Sequence, residues 1–499
     1  MSDDAQHAVI AFLADPATHG GAKVTRIDTH AAVVFLAARR ALKIKRNVRF
    51  PFLDFSTLEK RKSACEAELA INRAFAPALY RRVLAVTRET GGNLALDGDG
   101  TPVEWALEMS RFDETHTLDH LADAGRIDAG LADALGRTVA AAHATARPVA
   151  NFGFANRLTE IVEQNEQELL GFAELFDPAA VNTFTARSRE ALARLRPLLT
   201  AREADGLVRR CHGDLHLGNI VLIENAPVLF DAIEFDERMA IMDVFYDLAF
   251  LLMDLIERGL GSAADIVLNR YLTETRRDSD LDALAALPLF MATRAAIRAK
   301  VTASHTAQSA RAYFALAQQL IDPPSPRLIA VGGLSGTGKS VLARSLASAV
   351  PPLPGAVVLR SDVERKALFG VAETEPLPPN AYRMDATQSV YALLGKKAQR
   401  VLAAGHSAVV DAVFARADER AAVEAAADDP PFQGLFLTTD LATRVARVSG
   451  RSADASDADA EVARAQEDYG LGELSWEQVD ASGTPDETRV RALAVLKLA

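Results

Sequence analysis

The fold of this chain is decided first by one stretch, Gly333-Leu334-Ser335-Gly336-Thr337-Gly338-Lys339-Ser340, which directly follows the apolar run Leu328–Gly332. The apolar run predicts a buried strand, and Val341–Ala349 predicts a helix. Glycines between a strand and a helix let backbone N–H groups converge on phosphate oxygens, and the helix N-terminus adds a favourable field. The spacing is that of a complete Walker A motif. The sequence therefore predicts a phosphate-binding loop that opens an α/β domain with a parallel sheet.

Individual residues of this loop have predicted roles in nucleotide binding. Lys339 is expected to reach the β- and γ-phosphate oxygens, and Ser340 is expected to supply a ligand to Mg²⁺. The predicted nucleotide-binding residues of the loop are Gly333, Gly336, Thr337, Gly338, Lys339 and Ser340.

Two acidic residues follow the next predicted strands. Ala356–Leu359 leads into Asp362, and Ser407–Val410 leads into Asp411. Ligands of open α/β sheets gather at the carboxyl ends of the strands, so both aspartates are candidate catalytic groups that face an acceptor hydroxyl. The alternatives are that Asp362 caps the helix after it and that Asp411 caps the end of its strand.

Three arginines follow a further predicted strand, Leu435–Leu437. Arg444, Arg447 and Arg451 are spaced by three and four residues, so they lie on one face of a helix. They are candidates to clamp the phosphoryl group, with Arg451 the one assigned to nucleotide binding. The alternative is a solvated helix face.

Residues 327–499 resemble the gluconate-kinase-like and zeta-toxin-like group of P-loop kinases, which have an AAA-type ATP-binding domain. The resemblance rests on the Walker A motif, on Ser361-Asp362, on Asp411 and on the arginines. It implies that this half binds ATP with Mg²⁺ and phosphorylates a small molecule.

A proline-rich boundary separates this C-terminal half from the rest of the chain. Asp322-Pro323-Pro324-Ser325-Pro326 can continue neither a helix nor a central strand. The sequence therefore predicts two domains, residues 1–322 and 327–499. A chain of 499 residues is expected to contain more than one core.

The first domain opens with strands and continues with helices. Val24–Ile27, Val33–Ala37 and Ala41–Ile44 read as strands of an antiparallel sheet, and Leu58–Phe75 reads as a helix. A later pair of strands is predicted around a turn at Glu224-Asn225-Ala226-Pro227. Strands followed by helices favour an α+β body with two lobes.

The strongest chemical signal of the first domain is His212-Gly213-Asp214-Leu215-His216-Leu217-Gly218-Asn219. It matches the kinase catalytic-loop pattern, in which a loop presents a carboxylate to the substrate hydroxyl and an amide oxygen to Mg²⁺. Asp231 lies at the end of the predicted hairpin that follows, where a metal-chelating aspartate is expected. The alternative is that His212 and His216 form a zinc pair.

Residues 22–315 resemble the aminoglycoside phosphotransferase and choline kinase families on these motifs, so the resemblance implies a protein-kinase-like fold. It further implies that Asp214 acts on the acceptor hydroxyl, that Asn219 and Asp231 hold Mg²⁺, and that Asp247 braces the catalytic loop.

The same resemblance assigns the nucleotide-binding residues of the first domain. Lys43 corresponds to the strand lysine that grips the phosphates, with Lys45 on the same strand face as the alternative. Glu68 is expected to be its helical ion-pair partner, with Glu66 the less favoured choice. The backbone of Glu108-Met109-Ser110 is expected to pair with adenine, which makes Glu108 and Ser110 cofactor-binding candidates.

One family feature is missing. The families carry a glycine-rich loop over the phosphates between the first two strands, whereas this chain has Thr29-His30-Ala31-Ala32 there. The departure favours an alternative function, a nucleotide-sensing regulatory protein whose domains bind ATP without phosphorylating a metabolite.

Composition narrows the choice of partners. The chain carries 55 Lys+Arg against 67 Asp+Glu, so it lacks the basic balance of a general binder of nucleic acid or anionic membranes. Cys65 and Cys211 are the only cysteines, which excludes a disulfide scaffold, and Met1–Asp15 does not read as a secretory signal. We therefore expect a cytoplasmic enzyme that uses ATP, Mg²⁺ and a small-molecule hydroxyl acceptor. The sequence leaves open the acceptor and the oligomeric state.

Overall fold

The computed structural model describes residues 3–50, 53–450 and 455–498. It divides into two compact units, each assembled from two chain segments. Unit 1 comprises Met1–Phe154 and Leu199–Asp254, and unit 2 comprises Ala155–Leu198 and Leu255–Ala499. The predicted domains, 1–322 and 327–499, stay a prediction. No helix among the described residues is long and apolar enough to cross a membrane.

Unit 1 contains the first twelve strands. They are β1 (Val24–Asp28), β2 (Ala32–Ala37), β3 (Arg40–Lys45), β4 (Arg49–Phe50), β5 (Leu53–Asp54), β6 (Tyr80–Arg88), β7 (Leu94–Leu96), β8 (Thr101–Ser110), β9 (Val208–Arg210), β10 (Ile220–Ile223), β11 (Ala226–Leu229) and β12 (Ile241–Asp243). The helices up to residue 257 are α1 (Asp3–Ala14), α2 (Leu58–Phe75), α3 (Leu118–Asp123), α4 (Ala129–Thr145), α5 (Phe154–Leu170), α6 (Pro178–Ala204), α7 (Glu237–Ala240) and α8 (Val244–Glu257).

The main sheet of unit 1 is antiparallel and has the strand order β1-β2-β3-β8-β6-β7. Alternating residues of β2 and β3, among them Phe35 and Leu42, pack with Val9 and Leu13 of α1 in one apolar core. Side chains alternate across a strand, so Lys43 faces the opposite side of the sheet. The predicted strands and the helix Leu58–Phe75 are confirmed, whereas β6 and β7 were not foreseen.

The hairpin of β10 and β11 corrects the predicted turn. Ile223 pairs with Ala226, so only Glu224 and Asn225 form the turn, and Ala226-Pro227 belongs to β11. Both turn residues have positive φ, 50° and 63°. A two-residue turn of this kind matches the twist of the flanking strands, which is why it is shorter than the predicted turn of four residues.

Unit 2 contains the remaining strands, nearly all of α5, most of α6 and the helices that follow α8. The strands are β13 (Leu328–Gly333), β14 (Val357–Arg360), β15 (Ala408–Asp411), β16 (Phe432–Thr438) and β17 (Glu477–Asp480). The helices are α9 (Gly261–Thr275), α10 (Asp278–Ala283), α11 (Leu287–Ala303), α12 (Ala307–Ile321), α13 (Lys339–Ala347), α14 (Ser361–Leu368), α15 (Met384–Ala403), α16 (Ala417–Ala425), α17 (Leu441–Ser449), α18 (Ala460–Ala465) and α19 (Pro485–Leu496).

The sheet of unit 2 is parallel throughout, in the order β14-β15-β13-β16-β17. The α/β fold with a parallel sheet is therefore confirmed. The helix after the loop begins at Lys339, two residues before the predicted start at Val341, because the loop itself supplies its first turn. Since β13 is central, its loop lies between the ends of β15 and β16.

Candidate active sites

The catalytic loop of unit 1 is held in a defined shape around Asp214. The side-chain amide of Asn219 donates to the Asp214 carbonyl at 2.9 Å and to its Oδ2 at 3.0 Å. The Asp214 side chain keeps 42% of its surface exposed. A carboxylate that is oriented and still open to solvent can meet an acceptor hydroxyl.

Two aspartates of helix α8 hold this loop in place by accepting hydrogen bonds from its backbone. The Asp247 carboxylate accepts from the N–H groups of His212, at 3.1 Å, and Gly213, at 3.0 Å, which confirms the predicted brace. Asp254, two helical turns further on, accepts from the Leu217 N–H at 2.9 Å. Sequence reasoning missed Asp254, although its spacing from Asp247 places both on one helix face.

The two loop histidines each have a structural partner. The His212 Nε2 donates to the Phe230 carbonyl at 2.9 Å, since a carbonyl can only accept, and burial lowers the pKa of His212. The His216 Nδ1 accepts from the Gly218 N–H at 3.1 Å. Neither histidine belongs to a three-ligand metal cluster within the described residues, so the geometry does not support a zinc pair.

Lys43 contacts Glu68, its predicted ion-pair partner, and also Asp231, the predicted metal-binding aspartate. Its Nζ lies 2.8 Å from Glu68 Oε1 and 2.9 Å from Asp231 Oδ1. Lys45 contacts the other Glu68 oxygen at 2.6 Å and also pairs with Glu234. Both lysines therefore share Glu68, but Lys43 pairs with Asp231 whereas Lys45 pairs with Glu234, which favours Lys43 as the phosphate ligand. Glu234 was not foreseen.

The charged groups around Glu68 shift one another's pKa values. Burial disfavours the charged form of Glu68, but the ammonium groups of Lys43 and Lys45 outweigh it and hold the pKa of Glu68 below its ordinary value. Burial and the nearby Glu68 raise the pKa of Glu234. Glu68 is thus the ionised centre of the cluster.

Asp231 has a strained backbone. Its φ is 59°, which L residues rarely adopt, and its N–H donates to the Tyr80 hydroxyl at 3.0 Å. The Phe230 N–H donates to the Asn219 carbonyl at 3.0 Å, so Asn219 and Asp231 flank the open end of the β10–β11 hairpin. Such strain is concentrated at functional sites.

A cavity of about 180 Å³ lies on the Lys43 face of the sheet. Apolar side chains such as Val34 and Met109 line it, with Lys43 and Asp231 among the lining residues, and Ser110 lines it as well. The structure does not bring the side chain of Glu108 into the cavity.

The side chain of Glu108 instead pairs with two arginines. Its carboxylate lies 2.9 Å from Arg40 and 2.8 Å from Arg82. The Ser110 N–H donates to the Leu79 carbonyl at 2.8 Å, so it is already used within the fold. An adenine contact here would fall on other backbone groups of this segment.

The turn between β1 and β2 is tight. The Thr29 N–H and hydroxyl both donate to the Ala32 carbonyl, at 2.9 and 3.1 Å. The connection is the predicted one and contains no glycine.

The phosphate-binding loop of unit 2 depends on Gly336. Its φ is 88°, and a Cβ at this position would lie 2.5 Å from the Arg444 carbonyl oxygen of α17. The Lys339 Nζ donates to the Leu334 carbonyl at 3.1 Å, and the Ser335 N–H donates to the Gln466 side chain at 2.6 Å. Sequence reasoning missed Gln466, which lies far along the chain.

A cavity of about 700 Å³ brings four of the predicted residues of this half together. Lys339, Ser340, Asp362 and Asp411 all line it. Burial and the neighbouring Asp411 raise the pKa of Asp362, although Arg360 and Lys339 oppose the shift. Asp362 lies in the first turn of α14 and is not its N-cap residue, which is Arg360.

The arginines of α17 hold the loop instead of lining the cavity. Arg444 is buried and pairs with Glu467, and Arg447 donates to the Thr337 carbonyl at 3.4 Å and the Gly483 carbonyl at 2.9 Å. Arg451 lies outside the described residues. Among the residues that the structure describes, the arginines that line the cavity are Arg365 and Arg416.

Models of two known protein families match the two halves of the chain. Residues 47–287 match the phosphotransferase enzyme family, and residues 328–469 match an AAA domain family. The chain therefore joins an aminoglycoside-phosphotransferase-like domain to a P-loop kinase-like domain, as the resemblances implied.

Similar proteins match this chain over most of its length. An uncharacterized protein of Mycobacterium tuberculosis (strain ATCC 25618 / H37Rv) is 29% identical over 477 residues, which covers 91% of this chain and 92% of the relative. Solved structures with similarity include a choline/ethanolamine kinase family protein from Mesorhizobium loti, with 14% identity, 64% and 96% coverage of the two chains and a TM-score of 0.42. A gluconokinase from Sinorhizobium meliloti has 23% identity, 34% and 92% coverage and a TM-score of 0.26.

Proposed function

We propose that this protein is an ATP-dependent phosphotransferase with two nucleotide sites, each of which transfers the γ-phosphoryl group to a hydroxyl of a small molecule. The observation that carries the proposal is the contact of Lys43 with both Glu68 and Asp231 beside an apolar cavity. A kinase of this kind needs both the lysine–glutamate pair and the metal-binding aspartate in place. The family matches support phosphotransfer as the general activity.

In the first site, we assign Asp214 as the group that accepts the proton of the acceptor hydroxyl. The acceptor oxygen bonds to the γ-phosphorus while the bond from that phosphorus to the β,γ-bridging oxygen breaks, so ADP leaves. Asn219 holds the carboxylate in place through its two bonds to Asp214. Lys43 is expected to contact the α- and β-phosphates.

The side-chain oxygen atoms of the proposed sites fit Mg²⁺, which prefers oxygen ligands such as carboxylates and amides. Asn219 and Asp231 would hold the ion in the first site, and the Ser340 hydroxyl would hold it in the second. When bound, Mg²⁺ offsets the negative charge of the phosphates.

In the second site, Lys339 and the loop N–H groups are proposed to bind the phosphates, and Asp362 or Asp411 to receive the acceptor's proton. Both carboxylates line the same cavity as Lys339. We also propose a cytoplasmic location, because Cys65 and Cys211 are free and buried, as expected in a reducing compartment.

Acceptor-dependent release of ADP tests the proposal. The purified chain is supplied with Mg²⁺, ATP and a panel of sugars, aminoglycosides and nucleosides, alongside Asp214→Asn and Lys339→Ala variants. The proposal expects at least one acceptor whose turnover is lost in one of the variants. Binding of ATP with no acceptor-dependent turnover would instead support the nucleotide-sensing function.

A further inference from the structure

Helix α9 is part of the edge of the parallel sheet in unit 2. The Asn269 side chain donates to the Ala356 carbonyl at 3.1 Å and accepts from the Val358 N–H at 2.7 Å. Strand β14 is an edge strand, and this amide satisfies its backbone as a neighbouring strand would. The helix lies outside residues 328–469, which match the AAA domain family, so an upstream segment is built into the P-loop unit.

The next residue of α9 begins a chain of alternating charges that ends in the P-loop cavity. The Arg270 Nη1 lies 2.7 Å from one Glu373 oxygen, and the other Glu373 oxygen lies 3.7 Å from Arg360 Nη1. The Arg360 Nε lies 3.4 Å from Asp411 Oδ2. The side chains of Arg360 and Asp411 are 7% and 5% exposed, so water screens this pair little.

We propose that Arg270 is a positioning residue of the P-loop site, which acts through Glu373 and Arg360 to hold Asp411 beside Asp362. The inference rests on the proposed phosphotransfer at this site. A base that receives the acceptor's proton must be ionised, and a second carboxylate in the same cavity opposes its ionisation. Arg360 supplies the opposing positive charge, and Glu373 and Arg270 keep its guanidinium in place.

The charge environment of Asp362 gives the expected direction of change. The charged or titratable groups described around it are Arg360 and those that line the same cavity, namely Lys339, Arg365, Tyr382, Tyr391, Asp411, Arg416, Glu419, Asp457, Asp468 and Tyr469. Arg360 is one of the groups that lower the pKa of Asp362 against burial. When Arg360 is less well held, the pKa of Asp362 rises, and a higher pH is needed to ionise the base.

The test compares Arg270→Gln with Arg400→Gln. Arg400 likewise joins an upstream helix to the P-loop part, through 2.6 and 2.9 Å contacts with Asp282 and Asp278 of α10, and these contacts do not lead to Asp411. Both changes are made in an Asp214→Asn background, so that the remaining ATP turnover belongs to the P-loop site. Arg270→Lys serves as the conservative variant, because it keeps a positive charge next to Glu373.

Arg270→Gln is expected to move the acidic limb of the Lys339-dependent ATP turnover upward by about 0.5–1 pH unit and to lower turnover at neutral pH about three- to tenfold. Arg270→Lys should recover part of the loss, and Arg400→Gln should leave the limb in place. An equal loss in Arg270→Gln and Arg400→Gln, or an unmoved limb in Arg270→Gln, overturns the inference.

A measurement without turnover separates this inference from the proposed function. The pKa of Asp362 is followed by NMR of ¹³C-labelled aspartate, with Asp362→Asn for assignment. It should rise in Arg270→Gln and stay unchanged in Arg400→Gln, and an unchanged value in both overturns the inference even if no acceptor is found. Absence of any Lys339-dependent turnover, with the pKa shift present, would instead count against the proposed function alone.

Discussion

Replacing Gly336 by alanine tests how closely the phosphate-binding loop packs against helix α17. A Cβ at Gly336 would lie 2.5 Å from the Arg444 carbonyl oxygen and 2.8 Å from the Arg444 Cα, and both of these atoms belong to backbone that cannot easily move. Gly338 is the matched control, because its φ of 94° is similar but its Cβ would meet nothing within 4 Å.

The two substitutions share one cost and differ in another. A non-glycine residue held at positive φ loses about 1–2 kcal/mol in either position. Forcing an extra carbon into packed atoms adds about 1–3 kcal/mol at Gly336 only. Gly336→Ala should therefore lower the free energy of unfolding of unit 2 by about 2–5 kcal/mol, against about 1–2 kcal/mol for Gly338→Ala.

Urea unfolding followed by Trp476 fluorescence measures the difference. Trp105 and Trp476 are the only tryptophans, so a Trp105→Phe background leaves a reporter that packs against Phe414 and Phe432 in unit 2. Gly336→Ala should also weaken ATP binding more than Gly338→Ala. Equal losses of stability in the two variants would refute the close approach of α17 to the loop.

Three further predictions concern the first site. Lys43→Met should lower the turnover of the first site about 100-fold with little loss of stability. Lys45→Met should instead destabilise unit 1 by about 3–5 kcal/mol, because it leaves Glu234 buried without this partner. Kinetics in a Lys339→Ala background and urea unfolding measure the two effects, and the opposite pattern in the two variants would contradict Lys43 as the phosphate ligand. Glu68 has a lowered folded pKa, so its contribution to stability is complete above about pH 4.3 and is lost as pH falls toward the folded value. Glu68→Gln should flatten the acid side of the stability curve, and an unchanged curve would contradict the assigned charge. Asp247→Asn places an amide donor against the backbone donors of the catalytic loop, so it should lower the free energy of unfolding by about 1–3 kcal/mol and also lower turnover. Unaltered thermal unfolding and kinetics would contradict the role of Asp247 as the brace of this loop.

The sequence predicts those functional residues of the two sites that lie close together along the chain. His212–Asn219 and Gly333–Ser340 are continuous loops, so each motif by itself indicates which residues lie together in its loop. Asp247 was predicted from the resemblance to families that brace the catalytic loop with an aspartate on a helix, and the structure confirms its bonds to the loop. The repeat of one helix face about every seven residues would have found Asp254 from Asp247.

Other features depend on contacts between distant parts of the chain. Glu234 reaches Lys45 only because the hairpin after the catalytic loop returns to the sheet, and Gln466 reaches the Ser335 N–H across more than a hundred residues. The direction of the Glu108 side chain follows from the alternation of β8, whose register against β3 and β6 the sequence did not reveal. No local pattern signals these pairings, because tertiary packing decides them.

Titration of the intact chain with Mg²⁺ and a non-hydrolysable ATP analogue in a calorimeter tests most directly whether two nucleotide sites exist. Two molecules are expected to bind per chain, falling to one in Lys339→Ala and to one in Lys43→Met. A stoichiometry of one that either variant abolishes, or no binding of the analogue at all, would contradict the presence of two nucleotide sites.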